Sequence, residues 1–124
     1  MQVKNILGHR NQFMVIDDDG AVHFQSYDTH MAKVTELVGP EMFQLRMMSH
    51  YWSVTTAKHF KVFLEDNRLW LAVQELIDHK VFKNLKDFME RVDIMHVSRF
   101  KVYVEFTDKD GNIAHYNLSL VGEE

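Results

Sequence analysis

The chain has 124 residues and a mass of 14.7 kDa, with 46% hydrophobic and 26% charged residues. These values are typical of one globular domain and exclude a disordered or collagen-like chain, so we expect a single domain over residues 1–124. The 14 Lys and Arg against 18 Asp and Glu give a net charge of -4, which argues against general coating of nucleic acid. Cys is absent, which excludes disulfides, thiolate metal sites and a cysteine nucleophile.

Hydrophobic segments are short throughout the sequence. The first eight residues lack the apolar run of a secretory signal, and charged residues interrupt every apolar stretch before it reaches the ~20 residues that span a bilayer. We therefore expect a cytoplasmic protein that makes no membrane contact.

The first part of the chain predicts a β-hairpin followed by two further strands. Residues 13–17 are largely apolar, and residues 21–27 alternate apolar with polar side chains. The intervening Asp17-Asp18-Asp19-Gly20 ends in Asp-Gly, a strong hairpin signal because Gly tolerates the positive φ of the turn. Residues 31–37 and 43–47 also have the pattern of strands, and a helix after Pro40 is the alternative for the second of these.

The apolar period becomes helical after Ser53. The hydroxyls of Ser53, Thr55 and Thr56 are suited to cap a helix N-terminus, and that helix is expected to end near Asn67. Apolar residues at helical spacing predict two more helices, the second through Trp70, Val73, Leu76 and Ile77 and the third through Leu85, Phe88, Met89 and Val92.

A second hairpin is predicted near the end of the chain. Residues 100–107 alternate with period two, Asp108-Lys109-Asp110-Gly111 forms the turn, and residues 112–121 form the returning strand. Strands, then helices, then strands predict an α+β fold. We expect an antiparallel sheet built from the N- and C-terminal hairpins, with about three central helices.

Few patterns indicate catalysis or metal binding. The acidic turns lack the ligands that a calcium-binding EF-hand needs at its first and twelfth positions. No two of the 8 histidines have the i, i+4 spacing of a zinc-binding helix, although a sheet can bring His23 and His30 together with a third histidine. A nucleophile elbow and a Gly-rich phosphate loop are also missing. We therefore expect no cofactor, no metal and no catalytic residue, and a non-enzymatic protein is favoured.

Two regions are candidate interaction surfaces. Tyr51 and Trp52 precede the first helix, and bulky rings in such a position indicate an interface where they are exposed. The second region is basic but is interleaved with acidic residues, which weakens the field that phosphate binding requires. Its candidate nucleic-acid contacts are Lys80, Lys83, Lys86 and Arg91. Methionines in apolar surroundings are expected to fill the core.

Two short motifs resemble a family of small uncharacterised proteins from phages and related mobile elements. The family patterns are Ser-Tyr-x-Thr-x-Val-Ala and Tyr-Ser-x-Thr-Thr-x-x-His-x-x-x-Phe. Met31 and Trp52 depart from them, and the resemblance covers about residues 13–64. It implies an origin and a structural element but no mechanism. The matching positions are Ser26, Tyr27, Thr29, Ala32, Ser53, Thr55, Thr56, His59 and Phe63.

A structural role for the two motifs is favoured over a catalytic one. Tyr27 and Thr29 are expected on one strand face, and His59 stands one helical turn before Phe63. We expect His59 to hydrogen-bond Tyr27 or Thr29 and so to fix the first helix on the sheet.

Three functions from different classes follow. The favoured one is a non-enzymatic phage-type accessory protein that binds a host or phage protein and inhibits a defence or replication factor, in the host cytoplasm if phage-encoded. The second is a nucleic-acid-binding accessory protein that uses residues 80–101. The third is a small enzyme or metal site around Tyr27, Thr29 and His59. A homo-oligomer is also open, since the edges of hairpins pair readily.

Overall fold

The computed structural model describes residues 2–8, 10–37 and 42–120. Their eight strands form one antiparallel sheet in which the order of the strands follows the chain. Three helices stand between β5 and β6, which pair with each other directly. The elements are β1 (Gln2–Asn5), a 3₁₀ turn (Ile6–Gly8), β2 (Gln12–Ile16), β3 (Val22–Ser26), β4 (Thr29–Leu37), β5 (Met42–Met47), α1 (Val54–Asp66), α2 (Trp70–Asp78), α3 (Leu85–Arg91), β6 (Val92–Val97), β7 (Lys101–Thr107) and β8 (Ile113–Ser119).

The α+β class, both hairpins and all three helices are confirmed. Two strands, β1 and β6, were not predicted. All four residues of β1 are exposed, so that strand has no hydrophobic alternation to detect. Val92 was predicted to close the third helix, but its φ of -78° and ψ of 135° are extended and it opens β6. His9 and Pro40 lie outside the described residues.

The two predicted hairpin turns use the same side-chain device. Oδ1 of Asp17 accepts hydrogen bonds from the amides of Asp19 and Ala21. Oδ1 of Asp108 accepts from the amides two and four residues later in the same way. A carboxylate that accepts from its own turn stabilises the reversal, so these acidic segments are turns.

One face of the sheet packs against the helices and forms the core. Phe24 on β3 stacks on Phe60 and Phe63 of α1, with ring centroids 5.8 and 5.4 Å away. On the same face, near the other edge of the sheet, Phe106 of β7 makes an edge-to-face contact with Phe82, which precedes α3. The two ring centroids are 5.2 Å apart. Aromatic residues from both hairpins therefore contact the helical layer. The predicted core role of methionine holds for Met47, Met89 and Met95 and fails for Met48, which is exposed.

The opposite face, which we call the outer face, carries the alternate residues of each strand. Within the strand registers, none of the outer-face residues from Val3 on β1 to Ser119 on β8 is buried. All of them are half-buried or exposed, whereas their neighbours on the core face are mostly buried. The described part of the chain is thus a two-layer structure with one uncovered sheet face. None of its helices has the length and apolar character needed to cross a membrane.

Candidate functional site

The antiparallel strand order brings both sequence motifs to the same end of the sheet. Here β1 ends, β2 begins, β3 turns into β4, and β5 leads into α1. The 3₁₀ turn Ile6–Gly8 lies at this end as well, and the amide of Tyr27 donates to the carbonyl of Asn11 at 2.6 Å. We call this region the motif end.

Three hydroxyl groups connect α1 to β3 at the motif end. Ser53 is the N-cap of α1, since its Oγ accepts from the amide of Thr56 at 3.1 Å and its hydroxyl donates to Oγ1 of Thr56 at 2.9 Å. The same Oγ1 lies 2.9 Å from Oγ of Ser26, and this contact is buried. The capping role predicted for Ser53 is confirmed, and Thr56 additionally fixes the helix on the sheet.

The buried polar side chains of the described residues all lie near this contact. They are Gln12, Ser26, Thr56 and His59. Gln12 lies opposite Ser26 in the β2–β3 register, and Thr56 and His59 are three residues apart on α1. Neither Oε1 nor Nε2 of Gln12 has a hydrogen-bond partner, although the residue is fully buried. A buried amide without partners is costly, and such groups are rare in folded proteins.

The described hydrogen bond that joins α1 to β3 is the one between Ser26 and Thr56, and the bond expected from His59 to Tyr27 or Thr29 stays a prediction. His59 is buried, and its Nδ1 lies 2.7 Å from the carbonyl oxygen of Thr55 within α1. Because a carbonyl only accepts, Nδ1 carries the proton in this tautomer. Hydroxyl groups join the two motifs because Thr56, one turn earlier than His59, faces β3.

Tyr27 and Thr29 do not share a strand face as predicted. Tyr27 lies in the two-residue turn between β3 and β4 with a φ of 55°, while Thr29 opens β4 opposite Ser26. A tight hairpin turn requires positive φ at its first central position, and this removes Tyr27 from the strand. Of the other motif residues, Phe63 is buried in the core and Thr55 is exposed.

Leu7 and Tyr27 combine an unusual backbone conformation with an exposed apolar side chain. Their φ values are 53° and 55°, and their exposed fractions are 62% and 51%. Arg68 and Lys80 also have positive φ, but each follows a helix whose last carbonyls accept from the next amides. Those two are ordinary helix C-terminal conformations. Leu7 lies in a 3₁₀ turn and Tyr27 in a hairpin, where Gly or Asn is the favoured residue.

A cleft opens beside Leu7. It has a volume of about 630 Å³ and is lined by Leu7, Gly8, Val54, Thr55, Lys58 and His59. The side chain of Val54, at the first position of α1, is 73% exposed. The cleft therefore has an apolar rim, one exposed cation from Lys58 and the histidine of the second motif at its wall.

The two candidate interface residues before α1 differ in exposure. Tyr51 is exposed, whereas Trp52 is half-buried and packs against the core. Nζ of Lys86 lies 4.9 Å from the centre of the Trp52 ring, a cation–π contact. Tyr51 is thus accessible to a partner, and Trp52 mainly packs against the core.

Two of the candidate nucleic-acid contacts on the later helices, Arg91 and Lys86, have partners within the protein. Arg91 binds Asp87 through two hydrogen bonds of 2.9 and 3.0 Å, and its guanidinium lies over the rings of Phe82 and Phe106. Burial raises the pKa of Asp87, but its bonds to Arg91 and to the amide of Lys83 outweigh burial and leave it lowered. Lys86 is held over Trp52, while Lys80 and Lys83 are exposed.

His23 and His30 do come together, with a carboxylate in place of a third histidine. Nδ1 of His23 lies 2.9 Å from Nε2 of His30, and Nε2 of His23 lies 2.8 Å from Oδ2 of Asp17. The contact between the two rings holds one proton, so both cannot be doubly protonated while it persists. Burial lowers the pKa of His30 below its ordinary value, and the positive charges of His23 and Lys33 lower it further. Sequence spacing missed this trio because the hairpin register brings it together.

Within residues 2–8, 10–37 and 42–120, no three His, Asp or Glu side chains are arranged to hold a metal ion.

Comparison with known proteins identifies a family and no activity. Residues 1–70 match the model of a protein family that is described as a family of unknown function. The matched segment covers more than half of the 124-residue chain and contains the whole lining of the cleft. No curated protein and no solved structure matches the chain.

Proposed function

Since the chain belongs to a family of unknown function, DUF8033, we propose its function from the motif end: it is a non-enzymatic module that binds another protein there. The observation that carries the proposal is the pair Leu7 and Tyr27, two bulky apolar residues held exposed at positive φ. Gly or Asn would adopt either conformation with less strain, so a cost of about 1–2 kcal/mol per residue for keeping a bulky exposed side chain there supports a role of these side chains in binding.

The surface around this pair has the character of a protein interface. Val54 is exposed and lines the same cleft as Leu7, and Tyr27 and Tyr51 are exposed in the segments that lead into β4 and α1. Exposed apolar residues that are scattered singly need no explanation, whereas a group rimmed by polar residues marks an interaction site. Aromatic side chains at the centre of such a surface supply most of the binding energy in known interfaces.

The cleft defines the chemistry of the partner. Its apolar rim fits an apolar anchor side chain, and exposed Lys58 favours a neighbouring carboxylate on the partner. Of the buried polar cluster only His59 reaches the cleft, while the neighbouring Thr56 joins the same helix to the sheet. We therefore propose a partner that presents an apolar residue next to an acidic one.

The resemblance of the two motifs to phage and mobile-element proteins adds a biological setting to the proposal. In that setting the partner is a host or phage protein, the chain acts in the host cytoplasm, and binding inhibits a defence or replication factor. The small size and net charge of -4 support protein binding over general binding to nucleic acid.

The test compares quantitative capture by matched variants. Val54→Asp places an acidic residue at the first position of α1, where it complements the helix dipole and leaves the fold intact. Leu7→Asn removes the other apolar side of the rim with a residue that tolerates positive φ. Leu71→Ser is the control, because Leu71 on α2 is equally exposed but lies outside the cleft.

Proteins from a host lysate are captured on the wild type and on each variant and quantified by mass spectrometry. A partner is accepted only if the wild type and Leu71→Ser retain it and Val54→Asp and Leu7→Asn lose it by about tenfold or more. The purified partner must then show the same order of affinities by calorimetry. The proposal is wrong if every captured protein binds all four chains equally.

A further inference from the structure

Two cations face each other at the centre of the outer face. Lys33 on β4 and Arg46 on β5 are direct partners in the antiparallel register. The β-carbons of such opposed residues lie about 4.5–5.5 Å apart, and like charges in this position destabilise a sheet. Lys33 is half-buried, which strengthens the repulsion relative to a fully solvated pair.

No carboxylate of the described residues forms an ion pair with either cation. Asp17 is bound to His23, and Glu105 accepts a 2.7 Å hydrogen bond from the hydroxyl of Tyr103. Glu105 also lies two strands from Arg46, across Ile94, which is a separation of about 10 Å. Along the strand registers, the outer face carries Lys33, Arg46 and Lys101 against Glu105, and Asp17 brings a second carboxylate to it at His23. The face is therefore cationic on a protein whose net charge is -4.

Flat rings lie on both sides of the cationic pair. On β3 and β4, the rings of His23 and His30 are 5.0 Å apart. On β6 to β8, Tyr103 lies between His96 and His115, with centroid distances of 5.8 and 6.0 Å and tilts near 33°. Four of the 8 histidines thus lie on the outer face, and two of them flank the ring of Tyr103.

We propose that the outer face binds a single-stranded nucleic acid, with Lys33 and Arg46 on its phosphates and Tyr103 and the neighbouring imidazoles stacking on its bases. Single-strand binding proteins combine a positively charged track with rings on which bases stack. From β3 to β8 the face measures about 24 Å across the strands, enough for several nucleotides. This surface is separate from the motif end, and its binding does not depend on the proposed protein partner.

The arrangement favours nucleic acid over an acidic protein. The carboxylates of an acidic peptide can pair with the two cations. They make no use of the rings of His96, Tyr103 and His115, which lie beyond Arg46 on the same face. An extended single strand presents both phosphates and flat bases, and the outer face offers a cationic pair with rings on either side of it. A duplex keeps its bases stacked inside, so it reaches only the cations.

The proposal is tested by fluorescence anisotropy with a labelled oligothymidylate of roughly 16 nucleotides, at several salt concentrations. Wild-type affinity is expected to fall as salt rises. In the Lys33→Gln/Arg46→Gln variant the affinity falls by about tenfold or more, and the slope of log affinity against log salt becomes shallower by about 1.4, which corresponds to two lost phosphate contacts on a single strand. Tyr103→Leu is expected to weaken binding about tenfold, and Tyr103→Phe, which keeps the ring, is not.

Two control variants locate the effect. Lys80→Gln/Lys83→Gln removes two exposed cations from the helical side, and Val54→Asp alters the motif end; both are expected to bind the oligonucleotide as the wild type does. Circular dichroism and thermal unfolding confirm that each variant is folded, and removal of the repelling pair is expected to leave the melting temperature unchanged or higher.

Four results would overturn the proposal. The first is a wild type whose binding does not depend on salt, and the second is a Lys80→Gln/Lys83→Gln variant that loses as much affinity as Lys33→Gln/Arg46→Gln. The third is polyglutamate that competes as well as unlabelled oligonucleotide. The fourth is duplex DNA that binds as tightly as the single strand. The third result identifies an acidic-protein site and the fourth a simple phosphate site. None of these outcomes bears on capture through Leu7 and Val54.

Discussion

The hydroxyl oxygens of Ser26 and Thr56 lie 2.9 Å apart in a buried contact that joins β3 to α1 across 30 residues of sequence. Each belongs to one of the two motifs recognised in the sequence. Ser53 accepts from the amide of Thr56 and donates to its hydroxyl, so the helix cap and the helix-to-sheet bond form one continuous chain. The two motifs therefore encode a junction that sets where α1 begins on the sheet.

Removal of either side of this junction is expected to destabilise the protein. Thr56→Val leaves the hydroxyl of Ser26 buried without this partner, and Ser26→Ala does the same to Thr56. Each change is expected to lower the free energy of unfolding by about 1–3 kcal/mol in urea titrations. Thr55→Val is the matched control, since Thr55 is exposed on the same turn and should change stability by less than about 0.5 kcal/mol.

The double variant tests whether the two hydroxyls interact. Ser26→Ala/Thr56→Val removes both polar groups together, so its cost is expected to be smaller than the sum of the single changes by about 0.5 kcal/mol or more. Strict additivity would show that the hydroxyls act independently and that the contact does not join α1 to β3.

Much of this fold can be predicted from the sequence because the patterns that indicate its elements are local. The Asp-Gly turns between alternating segments, the hydroxyl cap at Ser53 and the return of a helical period predict both hairpins and α1 without knowledge of tertiary contacts. The sequence pattern does not predict β6, because the register shifts between Val92 and Ile94 and this irregularity breaks the alternation typical of a strand. The pattern does not predict β1 either, because β1 is an edge strand whose residues are all exposed and show no apolar alternation.

The candidate site was only partly predictable, since its chemistry depends on register. The motifs indicate a link between helix and sheet, but the sequence does not show that Thr56 is the residue of α1 whose hydroxyl meets β3. The outer-face pair Lys33 and Arg46 carries no sequence signal at all. It arises only when β4 and β5 pair in one particular register, since a shift by one residue moves a side chain to the opposite face.

Gln12 is expected to be replaceable by an apolar residue with a gain in stability. Its side chain is fully buried, and its amide atoms have no hydrogen-bond partner. Gln12→Met keeps the shape and removes the unpaired dipole, so the free energy of unfolding is expected to rise by about 1–2 kcal/mol. Gln74→Met on the exposed surface of α2 is the control and should be nearly neutral. A loss of stability in Gln12→Met would instead indicate that a bound water or ligand satisfies the amide.

The trio of Asp17, His23 and His30 is expected to make the free energy of unfolding depend on pH in two ranges, one set by His30 and a more acidic one set by Asp17. The pKa of His30 is lowered from its ordinary value of 6.5, so the unfolded chain takes up a proton that the folded chain resists. Its contribution is complete above about pH 6.5 and is lost as the pH falls through the lowered pKa. The hydrogen bond from His23 lowers the pKa of Asp17 from 3.8, so its contribution is complete above that value and is lost in more acidic solution.

NMR titration of the two imidazoles and the carboxylate measures these shifts directly, and urea unfolding at several pH values measures their effect on stability. In His23→Gln the loss of a neighbouring positive charge is expected to raise the pKa of His30, and the loss of the donor is expected to raise that of Asp17. His30→Gln should remove the higher of the two pH ranges and keep the lower one. A pKa of His30 above 6.5 in the wild type contradicts the arrangement.

The positive φ of Leu7 predicts an opposition between stability and binding at the motif end. Asn tolerates a left-handed backbone better than Leu, and the Leu7 side chain is 62% exposed, so Leu7→Asn removes strain and loses little buried surface. Its free energy of unfolding is expected to rise by about 0.5–1 kcal/mol. Arg68→Asn is the matched control, because Arg68 has a φ of 62° but follows α1 at the other end of that helix. It should gain similar stability and retain the captured partner, whereas Leu7→Asn should lose it. If both variants are more stable and both still bind, the strain at Leu7 has no part in recognition.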